Sequence, residues 1–467
     1  MGSLNLKLEP VDLSHHINVK SKSRHPSPLK DIIKFMAYDG MISLAGGSGA
    51  GNRQLIQLAK ELTEQVHAPL CEYECLLHPG NTNAWSKVVG LLCEDDDFVI
   101  VEEFTYPSAQ ALWIPLGIKA APVSADAEGI LATSLRELLE NWDENATGGR
   151  RPRVLYLVPV GSNPTGISIS AHRRKEIYAV ATEFDLVIVE DDPYYFLQYP
   201  GYSPQGVDQP FKLKSTEEFL NSLTPSFLSI DTQGRVIRLE SFSKTLFPGL
   251  RLGYFVANPL FTERLLRATE VETQDPAGLS QAFTLALFQQ WGDDGYLTWL
   301  QKLQFQYKTR RDWLISAFYD QFTVVPAAES PVPTAQGYVA CLEDKRSAKL
   351  LAIFSFTDPE AGMFVWSKFY FDDVPRFIEL EGQALEDPEQ AFAQELWEAM
   401  ISERVLLTPG SYYHAWQGPD KMSTKARGAD PRSAYFRFSF ATPTREQIYE
   451  GVKRVSKVTS RFWKETI

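Results

Sequence analysis

Three apolar runs in the middle of the chain each lead into a polar group able to do chemistry. Leu157-Val158 runs into Pro159-Val160-Gly161-Ser162-Asn163-Pro164-Thr165-Gly166, and Ile188-Val189 into Glu190-Asp191-Asp192-Pro193-Tyr194-Tyr195. Leu239 runs into Glu240-Ser241-Phe242-Ser243-Lys244-Thr245, followed by Pro248-Gly249-Leu250-Arg251-Leu252-Gly253. Ligands of open parallel sheets bind at the carboxyl ends of the strands, so an amide, a carboxylate and a lysine would meet there. An amine adds to carbonyl groups and moves protons, and a carboxylate holds a neighbouring cation. Taken singly, Asn-Pro-Thr-Gly is a turn, Asp191-Asp192 a cap and Lys244 a solvated charge. Their order at successive strand ends is what makes them a candidate site.

Such a site needs a sheet to hold it. From about Asn81 to Asn258, continuous apolar runs bounded by turn residues alternate with amphipathic helices, the pattern of buried parallel strands. The clearest runs are Phe98-Val99-Ile100-Val101, Val154-Leu155-Tyr156-Leu157-Val158 and Leu186-Val187-Ile188-Val189, with Val236-Ile237-Arg238-Leu239 and Gly253-Tyr254-Phe255-Val256 following. The fold class is α/β: a large domain with a mostly parallel sheet, then a smaller α+β domain. Between Gln198 and Gln233 the chain is broken by Pro200, Pro204, Pro210 and Pro225 and reads as a surface excursion. A helical pattern from about Leu279 to Phe322 breaks near Gly292-Asp293-Asp294-Gly295, and the Pro-rich stretch from Val325 to Pro333 marks a domain boundary. The first thirty residues are polar, ending in Ser23-Arg24-His25-Pro26-Ser27-Pro28, and read as an arm on a surface. The predicted organisation is an arm over 1–30, an N-terminal part of the small domain with a substrate loop over 31–75, a large cofactor-binding domain over 76–330 and a small domain over 331–467.

Taken together, these motifs resemble the fold type I pyridoxal phosphate enzymes, and most of all the fungal aromatic and 2-aminoadipate (kynurenine-type) aminotransferases. Phe227-Leu228-Ser229-Ile230-Asp231, Arg235-Val236-Ile237-Arg238-Leu239 and Ser241-Phe242-Ser243-Lys244 follow that branch, and Pro359-Glu360-Ala361-Gly362-Met363-Phe364-Val365-Trp366 agrees with it. The resemblance runs from Ser23 to the C-terminus. It implies a homodimeric aminotransferase that uses pyridoxal 5'-phosphate to move an amino group from an aromatic or aminoadipate-like donor to a 2-oxo acid such as 2-oxoglutarate. A carbon-sulfur lyase of secondary metabolism, eliminating at Cβ, would share Lys244, Asp191 and Arg437, and a catalytically impaired remnant is a third reading.

By the same resemblance, Lys244 binds the cofactor covalently and shuttles the substrate Cα proton, while Asp191 keeps the pyridine nitrogen protonated. Asn163 and Tyr194 hydrogen-bond the ring's phenolic oxygen, with Asp192 and Tyr195 as second choices, and Tyr106 stacks on the ring. Ser241, Ser243 and Arg251 hold the phosphate with the loop Gly80-Asn81-Thr82-Asn83-Ala84, in which Asn81 and Thr82 are the candidates. Arg437, in Phe436-Arg437-Phe438-Ser439-Phe440, clamps the substrate α-carboxylate beside Asn163. The chain departs from the family at Ala45-Gly46-Gly47-Ser48-Gly49-Ala50-Gly51-Asn52-Arg53, which lacks the proline and phenylalanine of the family's Gly-Gly-x-Pro loop. It departs again between Tyr73 and Gly80, where the family's longer segment is replaced by Glu74-Cys75-Leu76-Leu77-His78-Pro79.

Composition narrows the partners to small molecules. With 46 basic against 59 acidic side chains the net charge is -13, which repels nucleic acid and anionic membranes. No apolar run approaches the roughly 20 residues of a membrane span, and the N-terminus lacks the core of a signal peptide, so a cytoplasmic protein is expected. Met1-Gly2-Ser3-Leu4-Asn5-Leu6 starts like a myristoylation signal but has Leu6 where Ser or Thr is usual. Cys71, Cys75, Cys93 and Cys341 lack zinc-knuckle spacing and read as reduced structural thiols, the first two one turn apart if helical. The histidines lack ligand spacing as well, and no metal site is expected.

Overall fold

The apolar runs build a seven-stranded sheet in a computed structural model that describes residues 7–26, 50–344, 349–418 and 421–464. Its strands are β1 (Glu74–His78), β2 (Phe98–Glu102), β3 (Lys119–Val123), β4 (Val154–Leu157), β5 (Val187–Asp191), β6 (Val236–Ser241) and β7 (Gly253–Ala257), in the order β1-β7-β6-β5-β4-β2-β3. The pairs β2–β3, β2–β4, β4–β5 and β5–β6 are parallel, which brings the carboxyl ends of β4, β5 and β6 to one edge. Every residue of β5 is buried, with Val187 and Val189 in one apolar layer and Ile188 in the other, so both faces of the sheet are covered. Helix α1 (Ala50–His67) packs on β1, and α2 (Asn81–Leu92) starts directly after the turn at Gly80.

A second, six-stranded sheet is wholly antiparallel: β8 (Thr323–Pro326), β9 (Tyr338–Asp344), β10 (Lys349–Phe356), β11 (Phe364–Tyr370), β12 (Thr408–Pro409) and β13 (Ser433–Ser439), in the order β8-β9-β10-β11-β13-β12. The long helix α3 (Gly278–Gln321) leads into it, kinked where Gly292 takes φ 68, and α4 (Arg445–Lys464) packs against α3. The two layers touch at a pair of glycines. A Cβ on Gly161, which has φ 52, would come within 2.5 Å of the backbone nitrogen of Gly362, so a side chain there would push the second sheet off the strand ends of the first.

Several expectations need correction. Strand β7 runs antiparallel to β6, because the chain between them, Phe242 to Leu252, is a loop rather than the crossover helix that a parallel return requires. The leading segment is packed where described: Leu13 and Ile17 are fully or nearly fully buried, and Asn18 donates to Gly90 O and Cys93 O. Its apolar residues are too sparse to show as a run, yet both sink into the core. Helix α1 lies with the large sheet instead of the small domain, since Leu55 and Ala59 join that core. The small sheet begins at Thr323, ahead of the expected boundary at 331, because β8 pairs with β9. The stretch 198–233 is only partly superficial: a capping box at Ser215 starts the helix Thr216–Asn221, which buries Phe219. Cys71 and Cys75 lie beyond the end of α1, Cys75 on β1, and all four cysteines are free and buried. His15 and His16 meet a partner far along the chain, their Nε2 atoms lying 2.6 and 3.1 Å from the carboxylate of Asp185. Most of the Gly46-Gly47 loop, and the start of the 31–75 segment, lie outside the described residues.

Candidate active site

A cavity of ≈ 480 Å³ opens where the strand ends of the large sheet face the second sheet. From the large sheet it is lined by Asn81, Thr82, Tyr106, Asn163, Asp191, Tyr194, Lys244 and Arg251, and from the second layer by Met363, Phe364, Tyr413 and Arg437. Nine of the residues singled out from the sequence thus share one space, although they are spread from position 81 to position 437.

Each arrives there for a local reason. Asp191 is the last residue of β5 and only 6 % exposed. The next residue turns to the opposite side, where the Asp192 carboxylate pairs with the buried Arg238 at 3.2 Å and the Tyr195 ring lies 4.7 Å from the same guanidinium. The second-choice candidates Asp192 and Tyr195 are therefore engaged in a buried ionic network behind the site, together with Glu190, Glu240, Arg174 and His67. Tyr194 is buried against Phe364, with ring centroids 5.9 Å apart.

Lys244 lies in the loop after β6, half-buried. Burial lowers its proton affinity, and the positive charges of Arg251 and Arg437 lower it further, so a larger share of neutral amine is available than on a surface lysine. Arg251 sits in the left-handed region at φ 48 and donates to Ser243 Oγ at 3.2 Å and Pro248 O at 3.3 Å. Its guanidinium lies against Gly80, at φ 103, where a Cβ would stand 2.1 Å from Nη2. Only glycine lets the arginine reach the amino end of α2, and the two together make a cradle suited to an anion. Ser241 and Ser243 do not border the cavity. Ser241 Oγ accepts from the Ser243 amide at 3.1 Å and Ser243 Oγ accepts from Arg251, so they shape the cradle from behind.

Arg437 extends from β13, between the buried Phe436 and Phe438. It donates to Asn163 Oδ1 and, at 3.4 Å, to Thr408 Oγ1, and it lies 4.2 Å from the ring of Phe364 and 5.1 Å from that of Tyr413. Its buried Nε has no hydrogen-bond partner among the described residues. A guanidinium fixed on two sides with a donor still free is suited to a carboxylate.

Sequence reasoning missed Tyr156. Its hydroxyl donates to Asp191 Oδ2 at 2.7 Å, while Asn81 Nδ2 donates to Oδ1 at 2.6 Å. Burial raises the pKa of Asp191, and these two hydrogen bonds and the charge of Arg238 draw it back. Tyr156 sits inside a strand run and carries no signal that separates it from a core residue. Phe364, Tyr413 and Met363, which form the cavity's apolar wall, were missed because an apolar or aromatic side chain reads equally as core.

Residues 47–455 match the family described as aminotransferase class I and II. An aromatic amino acid aminotransferase of Schizosaccharomyces pombe is 31% identical, with 98% of this chain and 99% of the relative covered. That alignment spans 521 positions against the 467 residues of this chain, so the relative carries residues that this chain lacks. An L-tyrosine:2-oxoglutarate aminotransferase of Tapinella panuoides is 37% identical over 72% of this chain and 59% of its own length. The crystal structure of the aminotransferase Aro8 from Candida albicans superposes with a TM-score of 0.81 at 31% identity, covering 98% of this chain and 100% of the other.

Proposed function

Because the chain belongs to the class I and II aminotransferases, which are pyridoxal phosphate enzymes, we propose that Lys244 is the residue that holds the cofactor and moves the substrate Cα proton. The observation that carries this reading is the meeting of Lys244, Asp191 and Arg437 around one cavity, drawn from two separate layers of the fold. The residues present fit the cofactor: a buried carboxylate for the ring nitrogen, an amine of lowered proton affinity and an arginine cradle at the start of α2. When bound, the cofactor supplies an aldehyde that exchanges with amines and a cationic ring that withdraws electrons from the substrate.

The chain's own groups supply the rest. Lys244 Nζ would hold the cofactor and, once freed from it, would carry the substrate Cα proton. Asp191 would keep a proton on the ring nitrogen, and Asn163 and Tyr194 would hydrogen-bond the ring's phenolic oxygen. Tyr106 would cover the ring, Arg251 would bind the phosphate beside Asn81 and Thr82, with Ser243 and Ser241 supporting it, and Arg437 would take the α-carboxylate beside Asn163.

We infer that the preferred donor is an aromatic amino acid and the acceptor a 2-oxo acid such as 2-oxoglutarate. The names of the relatives support this, as do the rings of Tyr106, Phe364 and Tyr413 around the cavity. A screen of amino donors against 2-oxoglutarate tests it: tyrosine, phenylalanine and tryptophan are expected to yield glutamate faster than alanine or valine. Turnover with small aliphatic donors alone would refute the preference, and elimination products in place of glutamate would refute transamination.

The working unit is a homodimer. Phe247, three residues from Lys244, stands 49% exposed with its ring 6.1 Å from that of Phe283, itself 49% exposed, and Leu279 on the same helix is 88% exposed. Such an apolar ridge beside the site is suited to burial against a second copy. Light scattering should give twice the 52.7 kDa of one chain at catalytic concentrations, and a monomer there would overturn the proposal.

A further inference from the structure

We propose that Tyr156 and Asn81 are positioning residues for Asp191, holding its carboxylate ionised and turned toward the ring nitrogen. This rests on the role given to Asp191 above.

Ionising Asp191 is unfavourable where it stands, at the buried end of β5. Its charge is supported by one donor at each oxygen, Asn81 Nδ2 at Oδ1 and the Tyr156 hydroxyl at Oδ2. The donors arrive from different elements. Tyr156 is on the parallel neighbour β4, in register with Val189, and only 1% exposed. Its ring packs 4.6 Å from that of Trp85, which fixes where the hydroxyl points. Burial and the Asp191 charge raise the phenol's pKa well above its ordinary value, so it remains a donor at any pH at which the enzyme works. Asn81 opens α2, and its amide also donates to Leu239 O at 2.9 Å, tying Asp191 to the end of β6. With both oxygens held, the carboxylate cannot rotate without breaking a hydrogen bond, and it keeps acceptor capacity to spare beside the cavity that it lines.

The sign of the effect follows. Removing a donor from a buried carboxylate raises its proton affinity, because an orphaned charged oxygen is worse than an orphaned neutral one. Asp191 and the ring nitrogen compete for one proton, so weakening the support of Asp191 moves that proton toward the carboxylate and leaves the ring neutral.

The test uses the holoenzyme loaded with ring-¹⁵N pyridoxal phosphate, whose nitrogen chemical shift reports protonation independently of turnover. The wild type is expected to show a protonated ring nitrogen at neutral pH. Tyr156→Phe, which keeps the ring packed on Trp85, is expected to shift the signal toward the neutral form and to lower kcat by about tenfold to a hundredfold. KM should change less. Asn81→Ala approaches from the other oxygen and should move the signal in the same direction. If Tyr156→Phe leaves the shift and kcat within about twofold of wild type, Tyr156 is a packing residue and the proposal is overturned. If Asp191→Asn also leaves the signal unmoved, the failure lies in the role of Asp191 itself.

Discussion

Replacing Lys244 with alanine should abolish the borohydride-reducible link between protein and cofactor and lower turnover by at least about ten-thousandfold. The size follows from losing two proposed functions in one group: the amine that attaches the cofactor and the base that moves the Cα proton. No neighbour can replace it, because the other cations of the described lining are Arg251 and Arg437, and a guanidinium is neither a nucleophile nor a base at neutral pH. The cofactor should still bind without the covalent bond, since the cradle of Arg251, Gly80 and the start of α2 is untouched. The variant has a second signature. In the cofactor-free wild type the folded state lowers the pKa of Lys244 below its ordinary 10.5, so between the lowered value and 10.5 the unfolded chain binds more protons than the folded one. Stability attributable to this group therefore rises with pH through that window. Melting curves of the cofactor-free protein should show the rise, and Lys244→Ala should remove it. A cofactor that borohydride still fixes to the variant would move the central role to another residue.

The strand ends were legible in the sequence because two independent signals coincide there. A fully buried parallel strand must be a continuous apolar run, and a polar group at its end, such as Asp191 after Val187-Ile188-Val189, cannot belong to the same core. The distinction between Asp191 and Asp192 was legible from the motif only, and its physical basis is the alternation along β5 that sends Asp192 to Arg238. Direction was not legible: Gly253-Tyr254-Phe255-Val256 is as apolar as the parallel strands, and only the loop from Phe242 to Leu252 reverses it. Ser241 and Ser243 show a limit of another kind. Their spacing around Lys244 suits phosphate contact and turn capping equally: the bond from the Ser243 amide to Ser241 Oγ is a turn bond, while the bond from Arg251 to Ser243 Oγ ties the loop to the arginine. The packing of Leu13 and Ile17 was hidden because two apolar residues in a polar segment make no pattern, although both sink into the core. Contacts across the whole chain, such as Arg437 with Asn163 or His15 with Asp185, have no local signature at all.

Asp191→Asn should leave the covalent link intact and lower kcat by roughly a thousandfold or more, at about 1.4 kcal/mol per tenfold change in rate. The substitution is nearly isosteric but reverses the chemistry of one atom. An asparagine can still accept from Tyr156 or Asn81 at its carbonyl, but its amide replaces an acceptor oxygen and carries no charge. A protonated ring nitrogen would then face a neutral group in a buried site, so the nitrogen loses its proton and the ring no longer draws electrons from the substrate as strongly. The ground state suffers less. Arg437, Arg251 and Lys244 are unchanged on the same cavity, so KM and cofactor retention should move far less than kcat. The pH behaviour changes in a stated direction as well. Burial raises the pKa of Asp191 above its ordinary 3.8, so between these values the folded, cofactor-free protein binds more protons than the unfolded chain and loses stability as pH rises. Asp191→Asn cannot titrate there, so the cofactor-free variant should lack that pH-dependent loss even as its catalysis collapses. A variant whose kcat stays within about tenfold of wild type would show that no charge is needed beside the ring nitrogen, and would remove Asp191 from the mechanism.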